Sequence, residues 1–197
     1  FIYNTFEKLM KAISKSLKKN DPNHLNLGIR YGYIEQLDDE LLRISKESFD
    51  ALSFNCYALS PDHEKMNHAL EISGLPMIIG EYHFGTVDRG LAQSLWQVNS
   101  QKERGDAFRY YTENAFAHRG LIGTGWFRWI DQNINGRTDG ENYNCGFIDV
   151  TDRPYPYMVD AAIKTAKSLY EIHSGTKTPF HQAPNAVGHS PIPDLWE

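Results

Sequence analysis

The sequence has few cysteines, no excess of basic residues and no long apolar run, and each of these features argues against one large class of protein. Two cysteines in 197 residues exclude a disulfide scaffold and a cysteine-rich zinc site, and we expect Cys56 and Cys145 to be free core thiols. Its 20 basic residues are outnumbered by 25 acidic ones, and this net charge of −5 argues against nucleic acid as a partner. No apolar run approaches the roughly 20 residues of a membrane span, which argues against a membrane protein. What remains is typical of a globular domain, 41% hydrophobic and 13% aromatic.

The beginning of the chain also lacks familiar features. It starts at Phe1, within a predicted helix, and shows neither an initiator methionine nor a signal peptide. We therefore expect a fragment or a processed product of a longer polypeptide. At 197 residues the chain is also short for a complete (β/α)8 barrel, which needs roughly 250.

Predicted helices and strands alternate along the chain, which favours an α/β fold with parallel strands. Apolar periodicity predicts helices over 1–20, 38–47, 63–73, 100–118 and 154–173, and strands over 24–31, 51–57, 77–84 and 121–130. No glycine-rich phosphate loop follows a strand, which disfavours a nucleotide-binding fold. Four strand–helix units make half of a (β/α)8 barrel, to which we assign residues 1–174. Residues 175–197 hold four of the nine prolines and are predicted to form an irregular tail.

Polar and aromatic side chains gather where the predicted strands end: Arg30, Asn55, Tyr57, Glu81, His83, Trp126, Trp129 and Asp131. In barrels, chemistry occurs at this rim. Glu81 is the sharpest candidate, because a carboxylate at the end of a buried strand must be paired, hydrogen-bonded or catalytic. A structural carboxylate bound to a neighbouring arginine or backbone amide is the alternative. Trp126 has two interpretations as well, since a tryptophan can stack on a sugar ring or fill a core.

Two patterns resemble metal sites without meeting their requirements. Asp131 begins a stretch like a calcium loop, but position twelve is Asn142, where such loops need glutamate. His63 and His68 are five residues apart and so lie about 140° apart around a helix, too far to share one ion. We therefore predict no metal site. A nucleophilic serine is not indicated either, since the sequence has no G-x-S-x-G elbow.

Long motifs in the second half of the chain resemble the β-agarases of glycoside hydrolase family 50. Residues 75–90, LPMIIGEYHFGTVDRG, resemble the seventh-strand segment of that family. The eighth strand of the family and the loop after it resemble residues 125–131, 136–137 and 139–149. The start of its last helix resembles residues 152–156, and its sixth strand resembles residues 50–57. The resemblance extends over about residues 24–173. Related β-galactosidase-like families share parts of these motifs.

This resemblance implies a TIM barrel of which the chain supplies strands 5–8, and a retaining mechanism with two carboxyl groups. Glu81 matches the nucleophile, Tyr57 a residue that hydrogen-bonds it, and Trp126 the floor of the subsite for the reacting sugar. The sugar hydroxyls would be bound by Arg30, Asn55, His83 and Glu141. The acid/base is normally a glutamate that follows an asparagine at the end of strand four, which would precede Phe1. The chain has no Asn-Glu pair.

The implied function is hydrolysis of the β-galactosidic bonds of agarose or a related galactan, an oligo- or polysaccharide substrate, without a cofactor. The parent would be a bacterial enzyme that is secreted, periplasmic or on the outer surface. This chain alone would be inactive, and its exposed strand edges would bind the missing N-terminal barrel half or a second copy. Three alternatives stay open. They are a catalytically incomplete half-barrel (a carbohydrate-binding module or a proteolytic fragment), a β-galactosidase-like relative, and a smaller complete hydrolase with Asp131, Asp139 or Glu141 as acid.

Overall fold

The computed structural model describes residues 1–188. Its helices are α1 Ile2–Asn20, α2 Asp39–Ser48, α3 His63–Ser73, α4 Gln101–Phe116 and α5 Pro156–His173, with a short 3-10 helix at Ile34–Gln36. Its strands are β1 Arg30–Tyr31, β2 Leu52–Asn55, β3 Met77–Tyr82, β4 Trp96–Gln97, β5 Leu121–Trp126 and β6 Val187–Gly188. The chain divides into two compact units. Unit 1 comprises Phe1–Cys56, Asp62–Gly80 and Gly120–Gly125, and unit 2 comprises Tyr57–Pro61, Glu81–Arg119 and the chain from Trp126 onward.

Each long helix was predicted to within two residues of its ends, and local chemistry explains those ends. The Asp38 carboxylate accepts a hydrogen bond from the Leu41 N–H and begins α2, and Asp62 caps α3 in the same way. Gly74 ends α3 with a φ of 67°, a conformation that glycine adopts without strain. Ser100 caps α4, and Pro156 occupies the first turn of α5, where its missing N–H leaves no bond unmade.

Unit 1 holds most of a four-stranded sheet in the order β1-β2-β3-β5, and β1 and β2 run parallel. The α/β prediction is confirmed, but the strand predicted over 24–31 is confined to Arg30–Tyr31. Ahead of β1, the Asn26 N–H donates to the Asp50 carboxylate at 2.7 Å and the Asn26 amide donates to the Ser48 carbonyl at 3.1 Å. These side-chain bonds hold the segment instead of a strand ladder.

The core of unit 1 lies where α1 and α2 meet. Met10, Ile44 and Phe49 form a buried cluster, against which Phe6 and Leu75 pack. The lysine-bearing side of α1 is exposed, as its spacing predicts. Leu9, Ile13 and Leu17, which lie at helical spacing on the apolar side of α1, are also exposed. The buried side of α1 is therefore narrower than its apolar side.

Unit 2 is built on α4 and α5, which pack against each other, and on long loops stabilised by polar contacts. β4 pairs with β6 in an antiparallel sheet of two short strands. The segment predicted as an irregular tail therefore contributes one strand, and the rest of it within residues 175–188 has no helix or strand. Residues 189–197 of that tail lie outside the described residues.

The strand predicted over 121–130 ends at Trp126 because the chain then changes partners. The Trp129 carbonyl accepts hydrogen bonds from the Phe147 and Ile148 N–H groups at 2.8 and 3.1 Å, and Ile130 forms a bridge with Ile148. Both cysteines are free and buried, as predicted. Burial raises the pKa of the Cys145 thiol to about 12, which makes it a poor nucleophile. No helix within residues 1–188 is long and apolar enough to cross a membrane.

Candidate active site

A carboxylate and a phenol meet in unit 2 where β3 ends. The Tyr57 hydroxyl donates a hydrogen bond of 2.8 Å to Oε2 of Glu81. Tyr57 follows β2 by two residues, and Glu81 is the fifth residue of β3. Both side chains are partly buried. One carboxylate oxygen of Glu81 is thus held by a donor, which fixes the orientation of the group.

Tyr57 is suited to remain the donor of this pair. Burial raises the pKa of its hydroxyl far above the ordinary value, and the negative charge of Glu81 and the hydrogen bond to it raise it further. The phenol therefore keeps its proton throughout the pH range in which proteins are stable. A negative charge on Tyr57 beside Glu81 would place two anions in one partly buried site, which is costly.

His83 packs against the Tyr57 ring and is buried. The side chain is 1% exposed, and its ring lies edge-on to the Tyr57 ring with centroids 5.0 Å apart. Its Nε2 accepts a hydrogen bond of 3.2 Å from the Leu95 N–H, so this nitrogen carries no proton. Burial lowers the pKa of the imidazole to about 3. The resemblance implied that His83 binds sugar hydroxyls, and a ring that is 1% exposed offers almost no surface for such a contact.

For Trp126 the resemblance implied a sugar platform, and the structure shows which protein groups its side chain contacts. Its indole N–H donates to the Cys145 carbonyl at 2.7 Å, and its ring packs edge-on against those of Tyr82, Phe108 and Phe147. These contacts tie Trp126 into the aromatic core of unit 2. Side chains alternate along a strand, so the next residue, Phe127, has the opposite orientation, and its ring lies 5.9 Å from that of His83.

Glu141 lies in the loop that follows Trp129 and is bound by two neighbours. Its carboxylate accepts hydrogen bonds from the Gln132 amide at 2.7 Å and from the Arg137 guanidinium at 3.2 Å. Arg137 also pairs with the exposed Asp139 at 2.9 Å. The Glu141 side chain retains 24% exposure, which leaves room for a hydroxyl to bind it. Gln132 and Arg137 were not among the predicted site residues, and nothing in their spacing singles them out.

Asp131 forms the centre of a buried polar network, which was not predicted. One of its oxygens accepts from the Gly146 N–H at 2.6 Å, and the other accepts from Asn144 at 2.8 Å and from the Tyr155 hydroxyl at 2.6 Å. The fully buried Arg104 donates to the Asn144 and Gly146 carbonyls at 2.9 and 2.8 Å and lies over the Tyr155 ring. Asp131 therefore fixes the loop and is not presented to solvent.

Arg30 and Asn55 lie in unit 1, around a glycine that β3 requires. A Cβ atom at Gly80 would stand 2.3 Å from Cδ of Arg30 and 3.3 Å from Oδ1 of Asn55. Only glycine leaves space for both side chains at the residue that directly precedes Glu81. A Cβ at Gly125 would in turn lie 2.6 Å from the Gly80 carbonyl oxygen. The two predicted sugar-binding side chains are thus brought together over one position of β3.

The histidines on α3 do not form a metal site. His68 binds the Asp39 carboxylate through Nε2 at 2.8 Å, as a surface pair. Across residues 1–188, no three His, Cys, Asp or Glu side chains are arranged to hold a metal ion.

Comparison with known proteins identifies relatives of the chain. Beta-agarase A of Vibrio sp. (strain JT0107) is 37% identical over 166 residues, and beta-agarase B of that strain is 35% identical over 170 residues. These matches cover 81% and 83% of this chain but 16% and 17% of the two agarases. The chain thus spans about one-sixth of the length of the curated relatives it matches. No protein-family model matches it.

Solved structures give the same result. The agarase AgWH50C superposes with a TM-score of 0.79 at 36% identity, over 85% of this chain and 24% of that one. PfGH50B superposes with a TM-score of 0.78 at 35% identity, over 85% and 24% of the two chains. A β-D-glucuronidase of Dictyoglomus thermophilum, with a TM-score of 0.58 at 13% identity over 82% and 29%, shares the fold alone. The chain is therefore a β-agarase-like segment that belongs to glycoside hydrolase family 50.

Proposed function

We propose that this chain carries the nucleophile of a retaining glycosidase that cleaves the β-galactosidic bonds of agarose or a related galactan. The observation that carries the proposal is the 2.8 Å hydrogen bond from Tyr57 to Glu81. It orients a carboxylate at the end of a buried strand, and an oriented carboxylate can act as a nucleophile. The similarity to β-agarases over four-fifths of the chain supports the choice of substrate.

The proposed chemistry is a double displacement. A Glu81 oxygen attacks the anomeric carbon as the bond from that carbon to the leaving oxygen breaks, and the acid/base gives its proton to that oxygen. The product is a glycosyl ester of Glu81. The acid/base then takes a proton from water, whose oxygen attacks the same carbon, and Glu81 leaves as a carboxylate. Tyr57 donates to Glu81 in its charged states, where the bond is strongest.

We assign the acid/base to polypeptide outside this chain. A retaining pair needs a second carboxyl group about 5–5.5 Å from the nucleophile. Asp131 accepts three hydrogen bonds in the core, and both Asp139 and Glu141 pair with Arg137. Each of these carboxylates is thus bound by groups of the protein, and we assign the proton-donating role to none of them.

The fold we propose for the parent follows from the sheet order. Strands β1, β2, β3 and β5 have the same order in the sheet as along the chain, as the strands of a (β/α)8 barrel do, and β4, which lies between β3 and β5 in the chain, belongs to another sheet. We assign them to strands 5–8 and residues 1–174 to the C-terminal half of the barrel. The first half would come from the same parent polypeptide, or a second copy would cover the open edges. Secretion of the parent to the periplasm or cell surface stays a prediction from the family resemblance.

Sugar binding falls to side chains near the strand ends. Arg30 and Asn55 lie over Gly80, the residue before Glu81, and both carry hydrogen-bond donors for hydroxyl groups. Glu141 adds a partly exposed acceptor. In this proposal Tyr57 holds the nucleophile through a hydrogen bond, His83 packs against Tyr57, and Trp126 packs in the aromatic core of unit 2.

Replacing Glu81 tests the assignment directly. In the polypeptide that carries this chain, Glu81→Gln keeps the shape and the Tyr57 contact, and we expect turnover of agarose to fall roughly 10⁴-fold or more. Tyr57→Phe removes one hydrogen bond to a charged group, worth about 1.5–3 kcal/mol, so kcat should fall roughly 10- to 100-fold. Glu171→Gln, an exposed carboxylate on α5, is the control. Turnover that survives Glu81→Gln contradicts the proposal.

A further inference from the structure

One large aromatic ring of unit 2 lies open to solvent on a rigid support. Trp129 is 68% exposed, and its indole stacks on the Phe147 ring with centroids 5.9 Å apart and planes inclined by 21°. One face of the indole is therefore covered by Phe147, and the opposite face is free to receive a flat apolar group.

The support beneath this ring cannot collapse easily. Phe147 is packed edge-on by Phe108 at 5.5 Å and by Trp126 at 5.8 Å, both part of the aromatic core. The Trp129 carbonyl accepts hydrogen bonds from the Phe147 and Ile148 N–H groups. The backbone and the ring of Trp129 are thus both fixed before any ligand binds, which lowers the entropy cost of binding.

We infer that Trp129 is a stacking platform for a pyranose ring of a bound galactan chain, at a subsite other than that of the reacting sugar. This inference rests on the proposed function. Phe127 lies two residues earlier with its ring beside His83, which contacts Tyr57 and so leads to Glu81. Two residues span at most about 7 Å, so the platform lies near enough for one sugar chain to reach both.

The chemistry of the surface favours a sugar over a protein partner. In the chain, the partly exposed Arg128 directly precedes Trp129 and the exposed Asn133 follows four residues later, so polar side chains flank the ring on both sides. A pyranose presents apolar C–H groups on its faces and hydroxyls around its edge, which matches one flat ring with a polar surround. By contrast, the exposed side chains Leu9, Ile13 and Leu17 of α1 are aliphatic, a surface that fits a protein partner better than a sugar.

Binding to an inactive variant tests the platform without relying on turnover. In the Glu81→Gln polypeptide, we would titrate an agarose-derived hexasaccharide and a disaccharide by calorimetry. Trp129→Ala should weaken hexasaccharide binding about tenfold, the effect of a stacking contact. Disaccharide binding at the reacting subsite should be unchanged, and Trp129→Phe should restore most of the affinity for the hexasaccharide.

Two further variants keep the result clear. Trp129→Leu retains apolar packing on Phe147 but removes the flat face, so it should bind like Trp129→Ala even if the alanine variant folds poorly. Tyr157→Ala removes an exposed aromatic ring on α5 and should leave both affinities unchanged. Equal hexasaccharide affinity for wild-type Trp129 and Trp129→Leu overturns the inference. If the Glu81→Gln variant retained turnover, the proposed function would be contradicted. The hexasaccharide affinities of the Trp129 variants would still test the stacking platform.

Discussion

At the scale of single residues, His83 shows how a buried group sets the geometry of its neighbours. Its ring borders Tyr57 on one side and Tyr143 on another, with centroids 5.0 and 5.7 Å away, and its Nε2 receives the Leu95 N–H. A protonated ring would lose this acceptor and place a second N–H donor against a backbone donor. The neutral form is thus built into the folded chain.

We expect His83 to make the protein less stable in acid. Burial, helped by the positive charge of Arg104, lowers its pKa from 6.5 to about 3. Below pH 6.5 the His83 imidazole is protonated in the unfolded chain but stays neutral in the folded chain. The free energy of unfolding therefore falls as the pH falls toward 3. The loss should reach about 2–3 kcal/mol between pH 6.5 and 4.5. Urea unfolding at both pH values measures it.

The matched variant for this experiment is His83→Gln, whose amide oxygen can accept from Leu95 but does not titrate. The fall in stability between the two pH values should shrink by about 2–3 kcal/mol in this variant. His24→Gln, at an exposed histidine, should retain the full fall. If the wild-type protein and His83→Gln lose the same stability in acid, His83 is protonated in the folded state and this account of it is wrong.

The same residues show what the sequence can and cannot predict about a site. The sequence singles out Glu81 as a candidate, because few purely structural roles explain a charged residue that ends an apolar strand. Alternation predicted that Trp126 and Phe127 face opposite ways, but it could not tell which one faces the core. That choice depends on Tyr82, Phe108 and Phe147, whose rings meet Trp126 only in the folded chain. The burial of His83 depends in the same way on contacts distant in sequence.

At the scale of elements, the helices were predictable and the loops were not. Helix ends follow from caps written in the sequence, such as Asp62 before α3 and Gly74 after it. The loop over 131–155 takes its shape from a network that links Asp131, Asn144 and Tyr155 to Arg104 on α4. The likeness of this loop to a calcium loop is confined to its sequence, since the Asp131 oxygens accept hydrogen bonds from three protein groups.

We expect Asp131→Asn to destabilise unit 2 and to loosen this loop. An amide at this position turns one acceptor into a donor that faces the donors of Asn144 and Tyr155, and an unmatched buried group costs about 1–3 kcal/mol. Chemical unfolding measures the loss of stability, and limited proteolysis should cut the loop sooner. Asp139→Asn, at an exposed surface pair, should change stability by no more than about 1 kcal/mol.

This variant also separates two roles for Asp131. A stable Asp131→Asn protein without turnover would make Asp131 the acid of a complete hydrolase, the alternative that the sequence left open. A destabilised protein that retains part of its turnover fits the structural role that its three hydrogen bonds indicate.

At the scale of the whole molecule, each unit carries an exposed apolar face on a long helix. Leu9, Ile13 and Leu17 of α1 repeat every four residues and are 52%, 43% and 45% exposed. Val159 and Ile163 of α5 are likewise exposed at helical spacing. Apolar surfaces of this extent on soluble proteins mark interaction sites, and the relatives are several times longer than this chain. More polypeptide, or a second copy, is what such faces would bind.

We therefore expect the 197-residue chain on its own to self-associate through α1. The double variant Ile13→Glu with Leu17→Glu places two charges on the apolar side of α1. Burial of each apolar side chain contributes about 1 kcal/mol, and burial of a charge opposes association. The dissociation constant for self-association should therefore rise tenfold or more. Sedimentation velocity across a hundredfold range of concentration measures the shift. Lys8→Glu with Lys15→Glu changes more charge on the opposite, lysine-bearing side and should leave association in place. A wild-type chain that stays monomeric at every concentration would show that these faces need no partner, and would count against a half-barrel.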